Sequence, residues 1–194
     1  SPLQNASYFS VFANGGKSIQ PFFIEKILKT GKEVQFLENQ KTNENFIESW
    51  VGKKLPKEEI FTIDPRVSYI INDILLEATR RGTGKKIQSL KRDDFAGKTG
   101  TTNDAESTWF TGFNKNILTT VWFGYDQPST LGNKEFGSST ALPIWLDYME
   151  DIIDDVEYGI QTRPSGLIAK KISLSDGMPA NPGDSKTMFE LFLD

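Results

Sequence analysis

Three short runs rich in β-branched and aromatic residues follow one another almost without a break: Asp94 to Thr101, Ser107 to Phe113 and Ile117 to Tyr125. The links between them, at Asn103-Asp104 and Asn114-Lys115-Asn116, are turn formers too short for a crossover, which favours an antiparallel meander. A meander buries its apolar face only if helices cover it, and the flanking sequence offers them. Asp64 is a good N-cap, Pro65 suits the first helical position, and Val67, Ile70, Ile71, Ile74, Leu75 and Ala78 form one continuous face that Gly82 ends. Ser1, Pro2 and Gln4 make a capping-box pattern for an earlier helix, with Leu3, Ala6, Phe9 and Phe12 at helical spacing and a stop at Asn14-Gly15-Gly16. A closing helix is predicted over about 140–157, with Pro143 in its first turn and Ile144, Trp145, Tyr148, Met149 and Ile152 on its apolar face.

The remaining segments are less patterned. Phe22 to Leu28 and Val34 to Leu37, around Thr30-Gly31, suggest a hairpin, and residues 38–60 read as a polar surface excursion. Beyond Tyr158, breakers at Arg163-Pro164-Ser165-Gly166, Gly177-Met178-Pro179 and Asn181-Pro182-Gly183 leave only Leu167 to Leu174 as a strand. The predicted organisation is one domain over 1–158 followed by an irregular, loosely packed extension over 159–194.

Composition narrows the chemistry. The 194 residues contain no cysteine and no histidine, which removes thiol nucleophiles, Ser-His-Asp triads and zinc sites built on those side chains. A net charge of -4 gives no basic footprint, so nucleic acid is not an expected partner. No apolar run of roughly 18 residues occurs, so no membrane span is visible. Asp147, Glu150, Asp151, Asp154, Asp155 and Glu157 fall at helical spacing and read as a solvated face; no metal or cofactor is predicted. Trp109, Trp122 and Trp145 read as core residues.

One strand has an unusual composition for core. Ala96-Gly97-Lys98-Thr99-Gly100-Thr101-Thr102-Asn103 gathers two glycines, a fixed cation and several hydroxyls. Glycine removes side chains that would block a ligand, while hydroxyls and an ammonium suit a carboxylate. A peptide could therefore add beside this strand, with Lys98, Thr99 and Thr101 at its acidic end. The plainer alternative is that Gly97 and Gly100 mark a bulge and Lys98 is an exposed edge lysine. A second Lys-Thr-Gly at Lys29-Thr30-Gly31 reads as a hairpin turn, so the tripeptide alone decides nothing. A phosphate-binding loop is excluded, because Arg92 stands where its first glycine belongs and no helix pattern follows Thr99.

The longer context decides. The run Asp94 to Asp104, then Trp109-Phe110-Thr111-Gly112-Phe113, then Val121-Trp122-Phe123-Gly124-Tyr125-Asp126, resembles the third to fifth sheet strands of class A penicillin-binding proteins. Ser1-Pro2-Leu3-Gln4 with Phe12-Ala13-Asn14-Gly15-Gly16, Asp64-Pro65-Arg66-Val67 through Arg81-Gly82-Thr83-Gly84, and Ala141-Leu142-Pro143-Ile144-Trp145 resemble other parts of the same domain. The resemblance implies an α/β fold of α+β type: the transpeptidase or beta-lactamase-like antiparallel sheet flanked by helices, represented here by its C-terminal part. It also implies serine acyl transfer on stem peptides ending in D-Ala-D-Ala, a reaction that beta-lactams intercept. By motif, Lys98 would set the positive potential of the cleft, Thr99 and Thr101 would bind a carboxylate, and the Thr101 backbone N–H would join the oxyanion hole. Gly100 would keep the strand open, and Thr102 would complete the substrate-binding stretch.

The departures are as informative. The family uses Ser-x-x-Lys, Ser-x-Asn and Lys-Thr-Gly in that order, and only the last occurs among these residues. The resemblance places the missing motifs upstream of Ser1. It also implies a parent anchored in the cell inner membrane with its domains on the periplasmic face, bifunctional with an upstream glycosyltransferase. The unpartnered sheet face would then pair with the N-terminal remainder of the domain or with another copy of the chain. The other readings are a non-catalytic module that binds cell-wall peptides or a partner, and a D,D-carboxypeptidase or serine beta-lactamase relative.

Overall fold

The computed structural model describes residues 1–19, 21, 27–29, 32–34 and 63–194. Helix α1 spans Pro2–Ala13 and opens with the expected capping box, in which the Ser1 side chain accepts from the Gln4 N–H and Gln4 bonds back to the N-cap backbone. Strands β1 (Ile27–Lys29) and β2 (Lys32–Val34) pair antiparallel, with Lys29 opposite Lys32. They belong to a separate compact unit, residues 20–61, and the predicted excursion over 38–60 lies outside the described residues. The main unit comprises 1–19 and 62–194.

Helix α2 runs Pro65–Arg80, capped by Asp64, whose carboxylate accepts from the Arg66 N–H at 2.8 Å. The Arg66 guanidinium and backbone beside Asp64 pull its carboxyl down to about 2. After a 3-10 turn at Lys85–Leu90, the meander forms as expected: β3 (Ala96–Thr101), β4 (Ser107–Phe113) and β5 (Leu118–Gly124), in order β3-β4-β5 and antiparallel throughout.

Each face of this sheet has its own core. Ala96 and Phe113 point to α1 and α2, meeting Leu75 and Leu76, with Phe9, Phe12, Ile71 and Leu118 around them. Phe110 points the other way and packs with Phe95, Ile87, Leu142, Met149 and Trp145 under helix α3 (Ala141–Ile152). The Trp145 indole is fully buried, edge-on to both Phe95 and Phe110. The result is helices on both sides of an antiparallel sheet.

Two expectations are corrected. Helix α3 ends at Ile152 and gives way to a 3-10 turn at Ile153–Asp155, short of 157. Its last turn carries Glu150 and Asp151 and no basic residue, and Asp154 and Asp155 follow in the 3-10 turn, which is unfavourable at the negative end of the helix dipole. Residues 159–194 are not irregular: β6 (Leu167–Ser173) pairs antiparallel with β7 (Thr187–Leu193), from Leu167 opposite Leu193 to Ser173 opposite Thr187. The many breakers lie between these strands and before them, so they shaped the connection and hid the hairpin.

The join between α3 and this hairpin is anchored to the start of β3. Asp94, almost wholly buried, accepts from Arg92 at 2.8 and 2.7 Å, from Asn114 Nδ2 at 2.8 Å and from the Gly159 N–H at 2.9 Å. Arg92 also donates to the Val156 carbonyl at 2.9 Å and lies over the rings of Phe95 and Tyr158. Burial by itself would raise the Asp94 carboxyl, but the bonds from Arg92, Gly159 and Asn114 outweigh it and hold it below its ordinary value. A depressed carboxyl adds stability above its unfolded value, near 3.9, and loses it as pH falls through the folded value. Asp94→Asn should therefore lower stability by about 3 kcal/mol at neutral pH, because Arg92 is left in a confined site without its charge partner. Urea unfolding of variant and wild type from neutral to acid pH should show the gap shrink once Asp94 is protonated.

Candidate functional site

Antiparallel pairing fixes what β3 presents. The Thr102 N–H donates to the Ser107 carbonyl at 3.0 Å, so Thr102 faces β4. By strict alternation the backbone groups of Thr101 and Thr99 then face away from β4. Among the described residues no strand lies on that side, so their N–H and C=O groups line an open edge. Side chains alternate as well: Lys98 and Gly100 share the face of Ala96, toward α1, while Thr99 and Thr101 share the face of Gly97, toward α3.

A cavity of about 300 Å³ runs along this strand, lined by Asn5, Phe9, Lys98, Thr99, Gly100, Thr101, Thr102, Trp109 and Thr111. Every substrate-binding residue expected from the sequence borders it. Their hydrogen-bonding states differ. The exposed Lys98 ammonium donates to the Thr99 carbonyl at 3.0 Å, which holds a positive charge over the groove. Thr99 Oγ1 lies 2.8 Å from Thr83 Oγ1. Thr101 Oγ1 accepts from the Gly137 N–H at 3.1 Å, keeping its own proton and one lone pair free. Thr102 Oγ1 is occupied by the turn, accepting from the Glu106 and Ser107 N–H groups at 3.0 and 2.9 Å and reaching the Ser107 carbonyl at 3.3 Å. Its hydroxyl holds the β3–β4 turn closed, so Thr102 meets the groove with its hydrogen bonds already made.

The groove also contains residues that the sequence reading did not assign to it. Thr111 and Trp109 stand opposite Lys98 and Gly100 in the register. They follow from the strand pairing once the Asn103-Asp104 turn is recognised. Asn5 and Phe9 come from α1, roughly ninety residues away, and no local signal gives that docking. The expected core role holds for Trp145 alone. Trp109 is half-buried at the groove, and Trp122, its cross-strand neighbour at 6.2 Å between ring centroids, is 37% exposed. Both lie on the sheet face toward α1, beyond the part that the helix covers.

Gly100 and Gly137 are there for space. A Cβ on Gly100 would sit 3.2 Å from Trp109 Cβ. One on Gly137 would sit 2.6 Å from the Trp109 carbonyl oxygen and 2.7 Å from that of Gly100, so the loop before α3 can press on the strand only with glycine there.

A basic ammonium, two threonine hydroxyls and outward-facing N–H groups at an unpaired edge make a receptor for an extended chain with an acidic end. A family model, the penicillin-binding protein transpeptidase domain, matches residues 1–150, and the chain belongs to that family. The relatives it resembles are penicillin-binding proteins 1A. That of Pseudomonas aeruginosa is 35% identical over 226 residues, covering 98% of this chain and 27% of the relative. That of Neisseria lactamica is 34% identical over 183 residues, covering 94% and 20%. The crystal structure of penicillin-binding protein 1A from Haemophilus influenzae superposes with a TM-score of 0.79 at 29% identity, over 100% of this chain and 32% of that one. The chain thus spans about a quarter of the length of the curated relatives it matches.

The spatial demand at Gly137 yields a direct test. Gly137→Ala should push the loop off β3, break its bond to Thr101 and destabilise the fold by about 1–3 kcal/mol through overpacking. Amide hydrogen exchange should report it as faster exchange at Gly100, Gly137 and Ser138, with β6 and β7 unaffected.

Proposed function

We propose that this chain is the substrate-strand part of a peptidoglycan D,D-transpeptidase, and that its groove receives the D-Ala-D-Ala end of a stem peptide or a beta-lactam. The observation that carries this reading is the open edge of β3, with Lys98, Thr99, Gly100 and Thr101 along one cavity, in a chain that belongs to the transpeptidase family. In the reaction, a serine oxygen bonds to the penultimate carbonyl carbon and the amide bond to the last D-alanine breaks, its nitrogen taking a proton. An amine of a second stem peptide then bonds to the same carbon and releases the serine.

Each groove residue has a part in this. The Lys98 ammonium supplies positive potential to the incoming carboxylate and to charge that builds during attack. Thr99 and Thr101 hold the carboxylate through their hydroxyls. The Thr101 N–H, turned outward by the strand alternation, is the oxyanion donor. Gly100 leaves the edge clear for the substrate backbone, and Thr102 serves through the turn that its hydroxyl closes. No residue of the groove calls for a metal or cofactor.

The nucleophile belongs to a Ser-x-x-Lys that this sequence does not contain, and we assign it to an upstream part of the same domain. That part would also cover the exposed sheet face around Trp122, a role that a second copy of the chain would fill otherwise. The parent would sit at the cell inner membrane with this domain on the periplasmic side, paired with a glycosyltransferase domain. Among the described residues no helix is long and apolar enough to cross a membrane; by the family reading, the parent's anchor is assigned upstream of this chain. We assign 1–158 to the transpeptidase domain and 159–194 to an extension that packs upon it.

The missing Ser-x-x-Lys also supports a second reading, a non-catalytic module that binds cell-wall peptides through the same groove. Intact mass after incubation with benzylpenicillin separates the two, on the 194-residue chain and on the longest natural protein that contains it. A covalent adduct on the longer protein alone is the expected result, and Lys98→Met should slow its formation about 100-fold. No adduct on either would favour the binding module, and an adduct on the short chain would overturn the assignment of the nucleophile.

A further inference from the structure

The Thr99 hydroxyl does not stand alone at the groove, and what stands behind it comes from another element. After α2 the chain turns sharply: the N–H groups of Gly82 and Gly84 both donate to the Ala78 carbonyl at 3.1 Å. A Cβ on Gly82 would lie 2.8 Å from that oxygen and one on Gly84 3.3 Å, so the Gly-Thr-Gly sequence is a packing requirement of this turn. The chain then passes round the open edge of β3. It leaves α2, packed on the Ala96 face, and enters the 3-10 turn whose Ile87 packs on the Phe110 face. Thr83 lies at the crossing, with its hydroxyl 2.8 Å from that of Thr99 and no other hydrogen-bond partner among the described residues.

We propose that Thr83 is a positioning residue for carboxylate recognition: it holds the Thr99 hydroxyl so that the Thr99 proton is delivered into the groove. This rests on the reading above, in which Thr99 binds the terminal carboxylate of the substrate or antibiotic. A threonine hydroxyl has one proton and two acceptor sites. In the Thr83–Thr99 pair either oxygen can donate. An anionic carboxylate arriving at Thr99 selects one arrangement, because it accepts and cannot donate. Thr99 must then give its proton to the carboxylate, and Thr83 must give its own to Thr99. The chain Thr83 to Thr99 to carboxylate is polarised in one direction, and each bond strengthens the next.

The surroundings support a positioning role. Thr101, two residues on and on the same strand face, is held in the same manner by the Gly137 N–H. Lys86, three residues after Thr83, donates to the Ser138 carbonyl at 3.0 Å, tying the Thr83 turn to the Gly137 loop. The Thr99 and Thr101 hydroxyls are thus each met from outside the strand by one loop, and the two loops are fastened to one another. Thr83 itself is exposed and packs into neither core, so removing its hydroxyl leaves the fold intact.

The test uses the longest natural protein containing this chain, with benzylpenicillin and its methyl ester as probes and covalent adduct formation followed by intact mass. The ester is used at higher concentration to offset its slower reaction. Thr83→Val should lower the rate with the free acid about tenfold, leave the ester rate unchanged and be rescued to within about twofold by Thr83→Ser. Thr99→Val should lose the same preference for the acid, and the thermal midpoint of Thr83→Val should stay within about 2 °C of wild type. If Thr83→Val slows acid and ester equally, or neither, or if serine fails to rescue, the positioning role is overturned while the transpeptidase reading stands. If the wild-type protein forms no adduct, both fall together.

Discussion

The carboxylate of Asp94 is the point on which this architecture is hung. It sits at the entry to β3, and its partners come from three places: Arg92 just before the strand, Asn114 in the β4–β5 turn and Gly159 beyond the last helix. A buried anion must be fully partnered or it is strongly destabilising, so these segments are not free to adjust separately. Asn114 extends the constraint. Its Oδ1 accepts from the Asn116 and Ile117 N–H groups, which shapes the turn that sets the register of β5. Fixing the chain at Asp94, two residues before β3 begins at Ala96, helps set which backbone groups of the strand face outward at Thr99 and Thr101, because alternation allows no drift.

In the proposed function that outward edge is the asset, and it is also the structural liability. An unpaired strand edge invites pairing with any extended chain. Here the strand is short and polar, interrupted by glycines, and carries a lysine at Lys98. The loops at Thr83 and Gly137 close on its side chains while leaving the backbone of Thr99 and Thr101 accessible. The same choices that make the segment a poor core strand suit the receptor role proposed for it: glycines for approach, hydroxyls for a carboxylate, and a cation above them.

Much of this was legible in the sequence, and the limits were physical. Capping residues and periodicity gave α1 and α2, and the two short turns gave the meander with strand ends within two residues of those observed. The groove residues of β3 were legible because their composition conflicts with a core strand. Asn5 and Phe9 were not, since docking a helix against a distant strand is decided by tertiary packing alone. Thr83 was visible as part of a glycine-bounded turn, but its approach to Thr99 depends on the chain rounding a sheet edge. The end of α3 was overestimated because apolar periodicity continues past Ile152 while charge at the helix end opposes it. The β6–β7 hairpin was missed because Thr187–Leu193 follows a long stretch of breakers and pairs across it.

The segment after α3 has a meaning for how such a domain can be cut and joined. Gly159 donates to Asp94 just before β3, and the Gln161 side chain donates to the Phe12 carbonyl in the first helix. Two residues apart, they clasp the beginning of the chain and its middle from the far end. The chain just after residue 158 is therefore part of what fastens the groove. Recombination that transplanted residues up to 158 and left the rest behind would deliver a groove whose strand had lost one of its fastenings. The extension proposed to begin at residue 159 is thus fastened to the domain by its first residues, and a cut that spares both fastenings lies beyond Gln161.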